Sequence, residues 1–370
     1  MATNRALSTL LFLMALVASI DPAAMATTIK LEREVEGICQ YRLTNERGAN
    51  VLVSSLGAGI VEINVPDRDG ILADVVIGYA DPRHYLADGP CAGKVPGRYA
   101  NRIAAGKLTV NGVTHQLAIN NGPNHLHGGP TGFQNHNWDS AIEDDKVVFT
   151  LVSPDGDENY PGELKVRVAY SWDDECRLDI NLDADTDAPT AVNLTNHTYF
   201  NLAGENSGTV LNQRLKLYCS RWLPTDDTLI PTGEIASVEG TPMDFIVAKP
   251  IGQDIKADFP ALRYGKGYDN CWLIDGWEEG KLCPAAQLID DESGRCLLIS
   301  TTQPAAQVYT GNWLEGAPRS VSGGEYHDYD AVAIECQGCP DAPNHTNFPR
   351  QTLFPDEHYH RLIRFAFSTK

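Results

Sequence analysis

Two short polar segments of this 370-residue chain each present one side chain able to move a proton. The apolar run Ala331, Val332, Ala333, Ile334 ends in a single carboxylate, Glu335, at the mouth of a loop dense in Pro and Asn that runs to Pro349. The segment from Asn193 to Leu202 has the same form, a short apolar lead and then an isolated imidazole, His197. A carboxylate accepts a proton and an imidazole holds or releases one near neutrality. Together they make a general acid–base pair. Each has a plainer reading taken alone. Most Glu side chains are solvated, and a lone His in an apolar run is ordinarily a hydrogen-bonded core residue. Asn193, Asn196 and Asn201 are unusual in a plain strand and turn the second segment towards function.

Such a pair must be held by strands, and strand signals dominate the chain. Leu108 to Leu117 reads as a hairpin with Asn111-Gly112 as its type I′ turn. Lys146 to Val152, Leu164 to Trp172, Arg177 to Leu182, Leu211 to Cys219 and Arg361 to Phe367 are short alternating runs. Ala286 to Ile299 reads as a second hairpin around Glu292-Ser293-Gly294. No amphipathic helix of three turns stands out. Gly and Pro punctuate the runs at short spacing, which predicts an all-β sandwich or barrel. No period near 40 residues appears, so propellers and solenoids are disfavoured.

Three further segments join these two: Gly97-Arg98-Tyr99-Ala100-Asn101-Arg102-Ile103, Asn124-His125-Leu126-His127-Gly128-Gly129 and Gln307-Val308-Tyr309-Thr310-Gly311-Asn312. In this order, from about residue 50 to the C-terminus, the chain resembles the aldose 1-epimerase (galactose mutarotase) family. The resemblance implies one large antiparallel β-sandwich with a sugar cleft on one concave face. It implies interconversion of the α and β anomers of free hexoses such as galactose and glucose, with no metal and no organic cofactor. Glu335 matches the family's base and His197 its proton donor. His127 matches a substrate-binding His near the ring oxygen, where the neighbouring glycines permit close backbone approach to a ligand. Asn101 and Arg102 match a sugar contact, Arg being able to donate twice to vicinal hydroxyls. Asp269 matches an acceptor for two adjacent hydroxyls, with an Asx-turn role as the rival reading. Gln307 matches a polar contact whose rival is a solvent-facing strand residue. Tyr199, two residues beyond His197, should share its face. His125 should point the opposite way from His127, and Arg98 is expected in a structural salt bridge. His125, His127 and His197 lack the spacing of a known metal motif.

Composition sets outer limits. Residues 1–26 read as a secretory signal peptide: a basic Arg5, an apolar run from Leu7 to Ile20, and a small-residue cleavage site ending at Ala26. Residues 27–370 then form a single domain, secreted and without a membrane partner once the leader is removed. The net charge of −20 argues against nucleic acid and anionic lipid surfaces. Nine cysteines behind a leader predict some disulfides, and an odd number leaves at least one thiol over. Cys336 and Cys339 flank Glu335 where the family more usually has other residues. Pairing between them and simple packing are equally open.

Two rivals remain at this level. A hexose-phosphate epimerase of the same fold would need an added Arg or Lys cluster for the phosphate. A non-catalytic sugar binder would keep the cleft and lose the chemistry. Three formal glycosylation sites, at Asn193, Asn196 and Asn344, fall within the motifs and are expected to stay largely unused. Oligomeric state and sugar preference are left open.

Overall fold

Strands are most of the regular elements among the described residues, many of them alternating buried and exposed positions. The computed structural model describes residues 27–370 except Ala87, so the leader expected over residues 1–26 lies outside the described residues. The hairpin at Asn111-Gly112 forms as expected, with Lys107–Val110 against Val113–Gln116 and positive φ at both turn residues. Leu164–Trp172 occupies its expected span, and the second hairpin pairs Cys283–Ile289 with Arg295–Thr301. Leu211 is not in its expected strand. It sits in a 3-10 turn, and the strand is only Arg214–Leu217. Pro260–Gly265 is the one α-helix among the described residues. No helix among them is long and apolar enough to cross a membrane.

Three sheets matter for the site. Five N-terminal strands between Thr28 and Asp74 form a meander. A nine-stranded sheet is centred on Arg177–Thr186 and Tyr359–Thr369. A six-stranded sheet runs Tyr199–Phe200, Val332–Gln337, Ala305–Tyr309, Asp269–Leu273, Arg221–Leu223, Ala236–Ser237. The six- and nine-stranded sheets share one apolar core. Val308, Ile334, Trp272 and Phe200 from the first pack with Ile180, Leu297 and Phe365 from the second. The rings of Phe200 and Phe365 meet edge to face at 5.1 Å. Each buried aliphatic or aromatic side chain contributes about 1.5–3 kcal/mol.

The period of two then sorts the six-stranded sheet. Trp272, Val308 and Ile334 face the core. Their neighbours point the other way in two rows. Glu335, Gln307 and Cys271 lie in register across three strands, and Ala333, Tyr309 and Asp269 form the row beside them, extended by Tyr199.

This alternation corrects the cysteine expectation. All nine cysteines are free thiols. Cys336 turns into the main core, where its thiol bonds Thr301. Cys339 joins Cys271, Leu223 and Phe348 in a separate cluster on the other face. Two thiols on opposite faces of one sheet do not meet, so Cys336 and Cys339 do not pair.

Candidate active site

Glu335 and His197 meet at the floor of a cleft of about 810 Å³. His197 Nε2 lies 3.4 Å from Glu335 Oε1, with the residues 5% and 2% exposed. The second carboxylate oxygen, Oε2, is buried with no protein partner. Burial raises the Glu335 carboxyl well above its ordinary value; Asp269 adds to the rise and Arg102 opposes it. Burial also lowers His197, to about 4. The sequence alone predicts an imidazole titrating near neutrality; burial of the ring sets it lower, because a desolvated ring disfavours the imidazolium. Burial disfavours the charged form of each group, and two groups in contact titrate as a pair.

Seven of the eight residues singled out in the sequence line this cleft: Asn101, Arg102, His127, His197, Tyr199, Asp269 and Glu335. Gln307 lies just beneath, its Nε2 donating to Asp269 Oδ1 at 2.6 Å. Asp269 is thus a strand residue in a polar network, not a turn residue, and its Oδ2 faces Arg102 Nη2 at 3.5 Å. Arg102 Nε donates to Asn121 Oδ1 at 3.1 Å. The tyrosine ring of Tyr199 stacks at a tilt on His197, 4.9 Å between centroids.

His127 reaches the cleft through unusual backbone. The ladder pairs Arg102 with Leu126 and Ile103 with His125, and then both Asn101 and His127 adopt positive φ. The Asn101 N–H donates to His127 Nδ1 at 3.1 Å. Burial holds the ring neutral, so its remaining N–H is on Nε2 and is a donor. The neighbouring glycine serves a purpose other than ligand approach. A Cβ on Gly128 would lie 1.7 Å from the Gly97 carbonyl oxygen, so Gly128 permits two protein segments to touch. His125 points away, as expected, and bonds the Tyr160 hydroxyl at 2.7 Å. Arg98 is structural but makes no salt bridge. It is buried and donates to the carbonyls of Ser153, Pro154, Pro161 and Gly162, where orphan loop carbonyls take the place of a carboxylate.

Sequence reasoning passed over Tyr309, Cys91, Tyr264 and Trp313, all of which line the cleft. Tyr309 was within reach, since it follows Gln307 at the strand period. Cys91 and Trp313 are on loops, where no period applies. Asn193 and Asn196 are buried, their amides bonded to the carbonyls of Ala100 and Gly93. Asn344 departs from expectation: it is exposed, in a loop tied to Lys107 and Asp341. A second depression of about 460 Å³, lined by Trp277, Arg350 and Arg361, contains neither member of the pair. Among the described residues, no group of three or more His, Cys, Asp or Glu side chains is arranged to hold a metal ion.

A β-sandwich cleft that brings an imidazole and a buried carboxyl together, lined further by amides, hydroxyls, the carboxylates Asp227, Asp269 and Glu315 and a single guanidinium, suits uncharged, hydroxyl-rich ligands. The aldose 1-epimerase family profile matches residues 40–366, and the chain belongs to that family. It is 42% identical over 316 residues to a galactose mutarotase of Bos taurus, covering 85% of this chain and 90% of that one. It is 38% identical to an aldose 1-epimerase of Escherichia coli K12, covering 88% and 94%. Its fold superposes on a galactose 1-epimerase from Lactobacillus acidophilus with a TM-score of 0.79 at 30% identity, over 93% of this chain and 98% of that one. An aldose epimerase homologue from C. elegans gives 0.81 at 30% identity, over 89% and 98%. The fold is the galactose mutarotase type of β-sandwich.

Proposed function

We propose that this protein is an aldose 1-epimerase that interconverts the α and β anomers of free hexoses, galactose and glucose among them. The observation that carries the reading is the isolated His197–Glu335 contact on the cleft floor. In the reacting complex the shared proton sits on His197 and Glu335 is ionised. Glu335 takes the proton of the C1 hydroxyl while His197 gives its proton to the ring oxygen, and the C1–O5 bond breaks. The open aldehyde turns about C1–C2. On reclosure Glu335 returns its proton to O1 and His197 recovers one from the O5 hydroxyl, so the pair ends as it began. Each proton transfer is worth about 10²–10⁴-fold. His127, through Nε2–H, with Arg102, Asp269 and Asn101 holds the hydroxyls, and Gln307 holds Asp269.

Arg102 is the one Lys or Arg among the cleft-lining residues, and it already faces Asp269. That supports a free sugar over a hexose phosphate. Polarimetry of freshly dissolved α-D-galactose and α-D-glucose tests the reading: the protein should speed the approach to anomeric equilibrium. Heat protection by sugar without acceleration would instead mark a sugar binder. Secretion is part of the proposal, supported by Arg5, the apolar run after it and the small residues before position 27. N-terminal sequencing of the mature protein should begin near residue 27.

A further inference from the structure

The segment Asp88–Val95 backs the site and is built around a buried ion pair. Lys94 is wholly buried. Its ammonium bonds the Asp88 carboxylate and donates to the Tyr85 carbonyl at 2.6 Å. Asp88 Oδ2 also accepts the Ala92 N–H at 2.7 Å and the Tyr79 hydroxyl at 3.4 Å. Taking two charges out of water is costly, and an apolar pair of the same shape is often as stable. Stability alone therefore does not account for this pair.

The backbone beside it shows what it holds. The Gly93 N–H donates to the His197 carbonyl, and the His197 N–H donates to the Lys94 carbonyl, each at 2.9 Å. Both main-chain groups of His197 are thus clasped by two consecutive residues of this segment. Asn196 Nδ2 adds a bond to the Gly93 carbonyl at 2.8 Å. The Tyr199 hydroxyl donates to the Pro90 carbonyl at 2.9 Å. Gly93 is pinned in its turn: a Cβ there would lie 1.9 Å from the Ile60 carbonyl oxygen.

We propose that Lys94, locked by Asp88, is a positioning residue for His197, setting the imidazole against Glu335 through the Gly93–Lys94 clasp. The inference rests on the acid–base role given to His197 above. The Lys94 charge also opposes protonation of His197 from behind the cleft. The other ionisable groups facing this ring are Glu335, His127, Asp269 and Tyr199, with the Cys91 thiol lining the same cleft near Tyr199.

The test compares Lys94→Met with the double variant Asp88→Asn/Lys94→Met, alongside His197→Asn and Glu335→Gln. The double variant leaves no unpaired buried charge, so it answers the question even where Lys94→Met fails to fold. Folding is checked by thermal melting, and kcat and KM are taken by polarimetry on α-D-galactose. The folded double variant should lose about tenfold or more in kcat, as slight misplacement of a reacting group does. KM should stay within about threefold, since the sugar-holding side chains are untouched. Its kcat/KM profile should keep the wild-type pH dependence, because removing Lys94 and Asp88 together leaves the net charge behind His197 unchanged. Wild-type kcat in the folded double variant, with His197→Asn and Glu335→Gln both impaired, would overturn this inference alone. Wild-type rates in His197→Asn would overturn the reading of the site and this inference with it.

Discussion

Gln307 and Glu335 stand directly opposite each other on neighbouring antiparallel strands. Gln307 spends its amide N–H on Asp269, at 2.6 Å, and its Oε1 has no partner in the protein. It therefore bridges the row that carries Glu335 and the row that carries Asp269. Gln307→Leu should free Asp269 and raise KM for galactose by roughly tenfold, the worth of one hydrogen bond to a charged group. The kcat should fall by less. Equal KM values for the two proteins would remove Gln307 from the binding network.

The pair sets the pH range of activity. It works with one proton. Below about 4, the lowered value of His197, a second proton is added and activity falls. Above the raised value of Glu335 the single proton is lost and activity falls again. The kcat/KM profile should thus be bell-shaped, with its acid limb well below the 6.5 of an ordinary His. An acid limb near 6.5 would show that burial does not lower the His197 imidazole.

Glu335→Gln keeps shape and hydrogen bonding but accepts no proton, and His197→Asn keeps polarity but cycles none. Each should cut kcat by about 10²-fold or more and leave sugar binding within a few-fold. The double variant should be little worse than the poorer single, since acid and base act in one step. His127→Ala and Arg102→Ala should weaken binding as well as rate. Near-wild-type turnover by Glu335→Gln would end the assignment of the base.

Arg98→Met should behave differently from Arg102→Ala although the two arginines are close in sequence. It strands the carbonyls of Ser153, Pro154, Pro161 and Gly162 in a buried setting. Urea unfolding should show a loss of about 2–4 kcal/mol. The KM of the folded fraction should be unchanged, and a raised KM would place Arg98 among the sugar contacts.

Buried amides accept no glycan. Asn193 and Asn196 are bonded on both sides and inaccessible, so mass spectrometry of the mature protein should find them bare. Asn344 is exposed and is the position at which any glycan should appear. Occupancy at Asn193 would mean that the bridge it forms with Tyr99 opens to solvent.

What the residues could announce locally, they did. Asn111-Gly112 specifies its own turn, because both positions need positive φ and those residues accept it. Leu164–Trp172 alternates, and alternation is the period of a strand with one face buried. The motifs around Glu335, His197, His127 and Arg102 marked a site through their order along the chain and their resemblance to one family, since each residue taken alone has a plainer reading. Pairing across the fold was beyond local signals. That His197 Nε2 reaches Glu335 Oε1 depends on Tyr199–Phe200 pairing with Val332–Gln337, a register set by the whole core. The lowered proton affinity of His197 follows from burial, which no single segment specifies. Arg98 met carbonyls instead of a carboxylate, and Cys336 met Thr301 instead of Cys339, because the side of the sheet a residue faces decides its neighbours. The chemistry of this protein is written in residue types along the chain. The distances and burial proposed to make it an acid–base site belong to the tertiary structure, because they come from segments remote in sequence closing over one cleft.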